Sequence, residues 1–243
     1  MSYPINYPTP QGANIQIFSG NGDAYDWVKP QGASFVWFTL IGGGGGGFKS
    51  GTSANQAGGG SGAVTNCMVP AFLIPDELRV NVGAAGVSST STPTAGGDTA
   101  IVYQQISTTG YTLLTAKGGG AASSGAGGTY GAASTSTFFS AAGFFQSVQG
   151  QSGAANNNIT ISATTFLSGG TGGNLATLIA GNYGYSATGT GSGIDGMFQM
   201  QPIIVGLGSG QNGKAGIGCG AGGGSTSTRN DNGGHGLAVI ITW

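Results

Sequence analysis

Six consecutive glycines follow directly on an apolar run, residues 35–41, and they limit how this chain can fold. They are Gly42, Gly43, Gly44, Gly45, Gly46 and Gly47. Glycine loses more conformational entropy on folding than any other residue, and it offers no side chain to a core. We therefore expect these residues to pack backbone against backbone. Extended segments of the polyproline-II type can approach closely when no Cβ stands between them.

The composition of the chain extends this expectation. Of 243 residues, 53 are glycine and only 5% are charged, whereas average proteins have about 7% glycine and about 25% charged residues. Such a composition is typical of flexible linkers, but several strand-like apolar runs favour a folded domain. The formal net charge of -1 leaves no basic patch for nucleic acid, and near-neutral surfaces associate. We expect a homo-oligomer that does not bind nucleic acid.

Apolar and alternating runs predict an all-β fold, a β-sandwich or jelly-roll-like set of strands joined by glycine-rich extended segments. The predicted strands are residues 15–18, 34–41, 64–69, 78–82, 99–106, 111–116 and 237–243. Run 34–41 is aromatic and β-branched enough for a central strand, and we expect the last strand to pair with it. Glycine every few residues leaves no helical stripe, so essentially no helix is predicted.

The domain organisation follows from these strands. Residues 1–13 contain three prolines and are expected to form an extended arm, and residues 14–243 a single glycine-rich β domain closed by the C-terminal strand. We find no basic and apolar leader and no long apolar stretch, so we expect no signal peptide and no membrane insertion. Cys67 and Cys219 are favoured as buried free thiols over one long-range disulfide.

Three sequence motifs suggest a cofactor or catalytic site, and each has a simpler explanation. Residues 208–215 nearly match a phosphate-binding loop, but Ala215 lacks the hydroxyl that would hold Mg²⁺. The spacing Gly42-x-Gly44-x-x-Gly47 matches a dinucleotide fingerprint, as any six-glycine run does, and no helix is expected after it. His235 is the only histidine, and a tight turn before the last strand is the better interpretation. We expect no enzyme activity, no cofactor and no metal.

Two pairs of carboxylates remain as weaker candidates. Asp23 with Asp26, or Asp76 with Glu77, could serve glycoside cleavage or bind a cation. Such pairs are usually solvated turn residues, and that is the favoured interpretation.

Aromatic residues between the glycine clusters have two interpretations, receptor contact and subunit packing. A sugar face stacks on an aromatic ring, and a tyrosine hydroxyl can orient it. Candidate receptor contacts are Tyr130, Tyr183 and Tyr185, with subunit packing as the open alternative. Two adjacent phenylalanines cannot both point inward from one strand, which favours subunit packing for the phenylalanines. Candidate interface residues are Phe138, Phe139, Phe144, Phe145 and Phe198.

A series of short motifs occurs in order along the chain. They are WVKPQG at 27–32, the strand and glycine run at 35–47, GGGSGA at 58–63, VNVG at 80–83, GGDT at 96–99, LTAKGGG at 114–120 and GGHGLAVIITW at 233–243. Over residues 15–243 this series resembles the glycine-rich domain of phage tail-fibre, tail-tip and other virion surface proteins. T-even phage adhesins share its glycine-cluster style. The resemblance implies a β-rich module with a glycine lattice, often trimeric, that carries host contacts on exposed loops.

The resemblance and the residues together predict a non-enzymatic virion surface structural protein. We expect it to self-assemble as a trimer or larger, and to act as a tail-fibre tip or receptor-binding adhesin at the virion surface, extracellular after lysis. Its expected partners are itself, other virion proteins, and a host cell-surface glycan or protein. The alternative is a purely structural subunit of a capsid or extracellular filament with no receptor role.

Overall fold

The computed structural model describes residues 13–49, 56–103, 110–153, 219–220, 222–224 and 232–243. In this part of the chain two antiparallel sheets, a single short α-helix and a 3-10 turn at Ala71–Leu73 are present, which confirms the all-β class. The strands are β1 Asn14–Ser19, β2 Ala24–Val28, β3 Phe35–Ile41, β4 Val64–Pro70, β5 Glu77–Asn81, β6 Thr99–Tyr103, β7 Tyr111–Ala116, β8 Phe144–Val148 and β9 Leu237–Thr242, with helix α1 Thr137–Ala142. The predicted N-terminal arm lies almost entirely outside the described residues.

The first sheet has five strands in the order β1-β9-β3-β4-β8. Strand β3 is therefore central, as predicted. It runs antiparallel to β9, with Phe38 opposite Ile240, which confirms the predicted pairing of the last strand. The second sheet has four strands in the order β2-β5-β6-β7, so that β7 lies at its edge.

The hydrophobic core lies between the two sheets. Trp27 of β2 meets Phe38 of β3 edge to face, with ring centroids 6.2 Å apart. Buried side chains from both sheets surround this contact, among them Leu40, Leu78 and Ile101. Burial of each large apolar side chain contributes about 1.5–3 kcal/mol. The arrangement is the sandwich that the alternating runs predict.

Helix α1 is an element that the sequence patterns did not predict. The Ser136 side chain accepts a hydrogen bond from the Phe139 amide (3.3 Å), and Gly143 ends the helix by donating to the Phe139 carbonyl (3.1 Å). The prediction of subunit packing for Phe138 and Phe139 assumed that adjacent phenylalanines share a strand, and here they lie on a helix instead. The stretch between Ser136 and Gly143 contains no glycine and ends in two alanines, which favour helix. Phe139, buried in the core, anchors it.

Strand β2 was also missed, because it is short and carries an acidic residue. Asp26 lies opposite Arg79 of β5, and Trp27 is the buried residue of the strand. A turn then leads to β3 in the other sheet, with Ala33 donating to the Pro30 carbonyl at 3.3 Å. Gly32 at this turn has φ +79°, a conformation that favours glycine.

Candidate functional site

In the glycine run, the amide groups of residues 42–46 donate hydrogen bonds to three other segments, one segment after another along the run. The donor–acceptor distances are 2.8–3.0 Å. The pairs, donor first, are Gly42 with Ala63, Gly43 with Gly97, Gly44 with Gly234, Gly45 with Gly60 and Gly46 with Thr94. Residues three apart therefore bond to the same segment. A period of three matches the three residues per turn of a polyproline II helix.

The carbonyl groups of the same run accept from three further segments, over distances of 2.8–3.2 Å. The pairs, acceptor first, are Gly43 with Gly119, Gly44 with Gly86, Gly45 with Gly223, Gly46 with Ala122 and Gly47 with Ser89. Six segments thus surround the run and bond to it through backbone alone. We call the run and these neighbours the glycine lattice. Its neighbouring segments are residues 57–63, 83–89, 94–97, 117–122, 219–220 with 222–224, and 232–236.

A second row of the lattice repeats this pattern. The donors of residues 59–63 bond to backbone carbonyls over 2.8–3.0 Å. The pairs, donor first, are Gly59 with Gly223, Gly60 with Gly120, Ser61 with Gln151, Gly62 with Gly220 and Ala63 with Lys117. Here too, residues three apart reach the same segment. The lattice therefore continues beyond the central run.

The central run of the lattice has no room for side chains. A Cβ atom added at Gly42, Gly43, Gly46 or Gly47 would overlap a carbonyl oxygen of an adjacent segment. At Gly45 it would overlap the Gly120 oxygen and lie 2.5 Å from the Gly120 carbonyl carbon. Ordinary contacts between carbon atoms are about 3.5–4.0 Å. Chemistry that needs side chains is therefore confined to the periphery of the lattice.

The dinucleotide-like spacing falls within this lattice. Phosphate binding at such a motif needs free amide groups at the start of a helix. The amides of residues 42–46 all donate to backbone carbonyls, and Phe48 forms a bridge with Ala57 instead of starting a helix. The run therefore has no amide array to offer a phosphate. The phosphate-loop-like residues 208–215 lie outside the described residues.

His235 lies in lattice segment 232–236. Its carbonyl accepts from the Gly220 amide (2.8 Å), and its flanking amides, Gly233 and Gly236, donate to residues 83–86. The expected tight turn is therefore wrong, because the segment is extended and bonded to distant neighbours. The ring Nδ1 lies 2.7 Å from the Gly236 carbonyl oxygen and 4.0 Å from Cys219 Sγ. Among the described residues no group of three metal-ligating side chains comes together.

Both cysteines are free thiols. Cys67 lies buried in β4, and burial raises its pKa to about 12. Burial also raises the pKa of Cys219, which is only half-buried. The thiolate is the reactive form of cysteine, so neither environment favours nucleophilic chemistry at neutral pH.

The acidic candidates lie at structural positions. Asp76 forms an ion pair of 2.7 Å with Lys29 Nζ. The same ammonium group donates to the carbonyls of Ala71 and Ile74, at 2.9 Å each, and so holds the loop between β4 and β5. Glu77 lies opposite Val28 in the ladder, and Asp23 Oδ2 lies 3.4 Å from the Tyr25 hydroxyl. These contacts of the acidic residues are structural, because they stabilise a loop and a strand pair.

A row of apolar side chains, one from each strand, crosses the outer face of the five-stranded sheet. In spatial order these are Ile15, Ile241, Trp37, Met68 and Phe144, which we call the apolar row. Trp37 and Phe144 stack with centroids 5.8 Å apart. Ile15 is 58% exposed and Phe144 44%. No strand of this sheet has a charged residue, although charges commonly protect edge strands such as β1 and β8.

The aromatic candidates divide between core and surface. Phe139 is buried and Phe145 packs against the core, whereas Phe138 and Phe144 are exposed. One ring of each pair therefore points away from the core. Tyr130 is also exposed. Three candidates lie outside the described residues: Tyr183, Tyr185 and Phe198.

Sequence reasoning missed Tyr111, which is 71% exposed at the start of β7. It was assigned only to a predicted strand. The preceding Gly110 is a turn signal in the sequence, and an aromatic residue at the start of a strand that follows such a signal is expected at the rim of a sheet. That signal could have identified it as a surface residue.

Comparison with known proteins gives one result for the chain as a whole. The chain has no significant match among curated proteins, and no helix among the described residues is long and apolar enough to span a bilayer. Residues 19–243 match a protein family described as a glycine-rich domain. This match includes the central glycine run and every segment of the lattice described above. The protein therefore belongs to the glycine-rich domain family.

Proposed function

We propose that this protein is a non-enzymatic virion surface structural protein that self-assembles and presents host contacts on a rigid framework. The observation that carries the proposal is the apolar row on an uncharged sheet, held on a lattice whose central run has no room for side chains. The phage association comes from the ordered motifs, which resemble those of tail-fibre and tail-tip proteins.

The lattice supports a structural role. Its central run bonds to six segments through backbone groups alone, so the segments cannot slide without loss of several hydrogen bonds. Each buried bond that is left unmade costs about 1–3 kcal/mol. A framework of this kind holds its surface in one shape, which suits repeated display better than a chemical cycle.

The apolar row supports self-assembly. Soluble monomers rarely expose large contiguous apolar patches, and such patches usually mark contact sites. The partly exposed rings of Phe35 and Trp243 also stack on this face, with centroids 6.0 Å apart. A second copy can cover the face without burying an unpaired charge, because the five strands contain none.

Assembly would multiply weak contacts with a host surface. Display of several copies raises overall avidity by about 10² to 10⁴ over a single site when geometry permits simultaneous binding. Tyr130 is exposed and available for such contacts. Tyr183 and Tyr185 remain candidates.

Self-assembly is tested by the mass of the native protein with a matched pair of variants. We expect multi-angle light scattering to give an oligomer for the wild type and a smaller species for Phe144→Ser. Phe72→Ser is the control, because Phe72 is 82% exposed but lies outside the apolar row. A monomeric wild type, or equal loss of mass in both variants, would contradict the proposed interface.

Host contact is tested on assembled particles. Tyr130→Asp and the double variant Tyr183→Asp with Tyr185→Asp are each expected to reduce attachment to host cells while assembly is retained. Undiminished attachment in both would favour the alternative, a purely structural subunit of a capsid or extracellular filament.

A further inference from the structure

We propose that a groove on the open side of the sandwich, between β7 and residues 132–139, binds an uncharged oligosaccharide. The biological role of this binding rests on the proposed host contact, whereas the binding itself follows from the residues that line the groove.

The groove consists of two cavities that run into each other. One has a volume of about 500 Å³ and the other about 390 Å³. Both are lined by the same stretch of β7 and the same loop before α1: Thr112, Leu113, Thr135 and Ser136. Among the described strands, β7 lies at the edge of the second sheet, so that the groove follows this edge.

The larger cavity combines aromatic rings with hydroxyl groups. Tyr111 and Phe138 line it and are 71% and 54% exposed. Besides Tyr111, the hydroxyl-bearing side chains at this cavity are Thr112, Thr135, Ser136 and Thr137. Sugar rings offer apolar faces that stack on aromatic rings, and hydroxyls that pair with hydroxyls. The lining therefore matches the two recognition features of a saccharide.

The smaller cavity contains a hydroxyl without a partner. Ser134 lines it, and the buried Ser134 Oγ has no hydrogen-bond partner among the described residues. Buried polar atoms are nearly always paired, so a hydroxyl of a bound ligand would complete this site. The Ser134 amide is already used, since it donates to Ser147 Oγ at 2.9 Å.

The charge of the lining favours an uncharged ligand. Among the described residues, none that lines the larger cavity is acidic or basic. Lys117 lines the smaller one, but its ammonium group is paired with Asp98 at 2.6 Å. An anionic glycan would have to compete with that carboxylate, whereas a neutral one would not.

The walls of the groove are held in place before any ligand arrives. Thr65 of β4 donates to the Thr115 carbonyl of β7 at 2.9 Å, and its hydroxyl lies 2.8 Å from Ser147 Oγ. On the other wall, Ser136 caps α1. A preformed site loses less conformational entropy on binding than a mobile one.

The competing occupant is an extended peptide, because a peptide can add a strand to a free sheet edge. The two exposed rings and the row of hydroxyls favour the saccharide, since strand addition needs backbone groups and not these side chains. Preference for a peptide over every saccharide is therefore one of the results that would overturn the proposal.

The experiment titrates the full-length protein with defined probes by calorimetry and saturation-transfer NMR. The probes are cellotetraose, maltotetraose, chitotetraose, an anionic tetragalacturonate and an extended threonine-valine hexapeptide. We expect at least one neutral tetrasaccharide to bind. Tyr111→Ala and Phe138→Leu should each weaken it about tenfold, and Thr112→Val should weaken it with β propensity retained. Phe72→Ala is the matched control and should leave affinity unchanged, because Phe72 is 82% exposed and lines neither cavity.

Each contrary result overturns the proposal. These results are no binding of any neutral probe, equal binding of the galacturonate, preference for the peptide, or unchanged affinity in the folded Thr112→Val and Phe138→Leu proteins. The host-attachment assay separates the two proposals. If groove variants lose sugar binding but the particles still attach normally, the groove binds sugar and has no role in host contact. If attachment depends on Tyr130 but no probe sugar binds, host contact is supported and the sugar-binding groove is refuted.

Discussion

Replacement of Gly45 by alanine tests the glycine lattice at its centre. The added carbon would lie 2.5 Å from the Gly120 carbonyl carbon, about 1 Å less than an ordinary contact between carbons. Segment 117–122 must therefore move away from the central run. It is joined to that run by hydrogen bonds from Gly119 to Gly43 (2.8 Å) and from Ala122 to Gly46 (3.0 Å).

The cost follows from these two bonds. A displacement of about 1 Å lengthens both to about 4 Å, beyond the usual limit of about 3.2 Å. At about 1–3 kcal/mol for each unpaired buried group, Gly45→Ala should lower the free energy of unfolding by about 2–6 kcal/mol. Whole domains are stable by only about 5–15 kcal/mol. The bulkier Gly45→Val is therefore expected to prevent folding or assembly.

The control is Gly32→Ala, at which the added carbon meets no atom within 4 Å but φ is +79°. Its cost is conformational only, about 1–2 kcal/mol. Urea unfolding followed by tryptophan fluorescence compares the two variants, since the buried Trp27 reports on the core. If Gly45→Ala is no less stable than Gly32→Ala, close backbone packing does not limit substitution and the reasoning fails.

Three further changes have defined outcomes. Lys29→Met removes the donor to two loop carbonyls and should lower the free energy of unfolding in urea by about 2–4 kcal/mol. Asp76→Asn changes a carboxylate that is 83% exposed and should lower it by less than about 1 kcal/mol. Equal effects of the two variants would refute a role for the carbonyl contacts. Ser136→Ala should cost about 1 kcal/mol through loss of the α1 cap, and an unchanged melting temperature would contradict it. The Cys67 thiol has its folded pKa raised from 9.0 to about 12 by burial. Its contribution is therefore full below pH 9 and is lost as pH rises toward 12. Wild type should lose stability relative to Cys67→Val as pH rises from about 9 toward 12, and parallel pH profiles would refute this.

Seven of the nine described strands, all but β2 and β8, were predictable because their signal is local. In β3 and β9, apolar and β-branched side chains identify both the element and its depth in the sheet. Close packing of the six glycines was also expected, since a residue without a side chain can be stabilised only through its backbone. The sandwich follows from the apolar and β-branched strands, and the extended segments follow from the six glycines.

The partners within the lattice could not be predicted from the sequence. Glycine residues are chemically identical, so nothing in the sequence indicates that Gly43 donates to Gly97 or accepts from Gly119. The register is set by the strands from which each segment emerges. Ile41 of β3, for example, is paired with Val64 and Leu237, and this places the segments that adjoin them beside the central run.

Helix α1 and the groove were missed for a related reason. The helix is too short to show a stripe, and Phe139 stabilises it by packing in the core. The groove consists of β7 and a loop of separate sequence, so Tyr111 and Phe138 gain a common role only after folding.

The period of three in the lattice also bears on how the protein folds. The central run takes its partners from segments spread between residues 57 and 236, so each bond closes a long loop of chain. Loop closure must precede the stabilisation that such contacts bring, and folds dominated by distant contacts form slowly. A run with only some of its neighbours in place has unpaired amides and no side chains to hold it. We therefore expect the lattice to form in one late cooperative step, after the two sheets have brought its segments together.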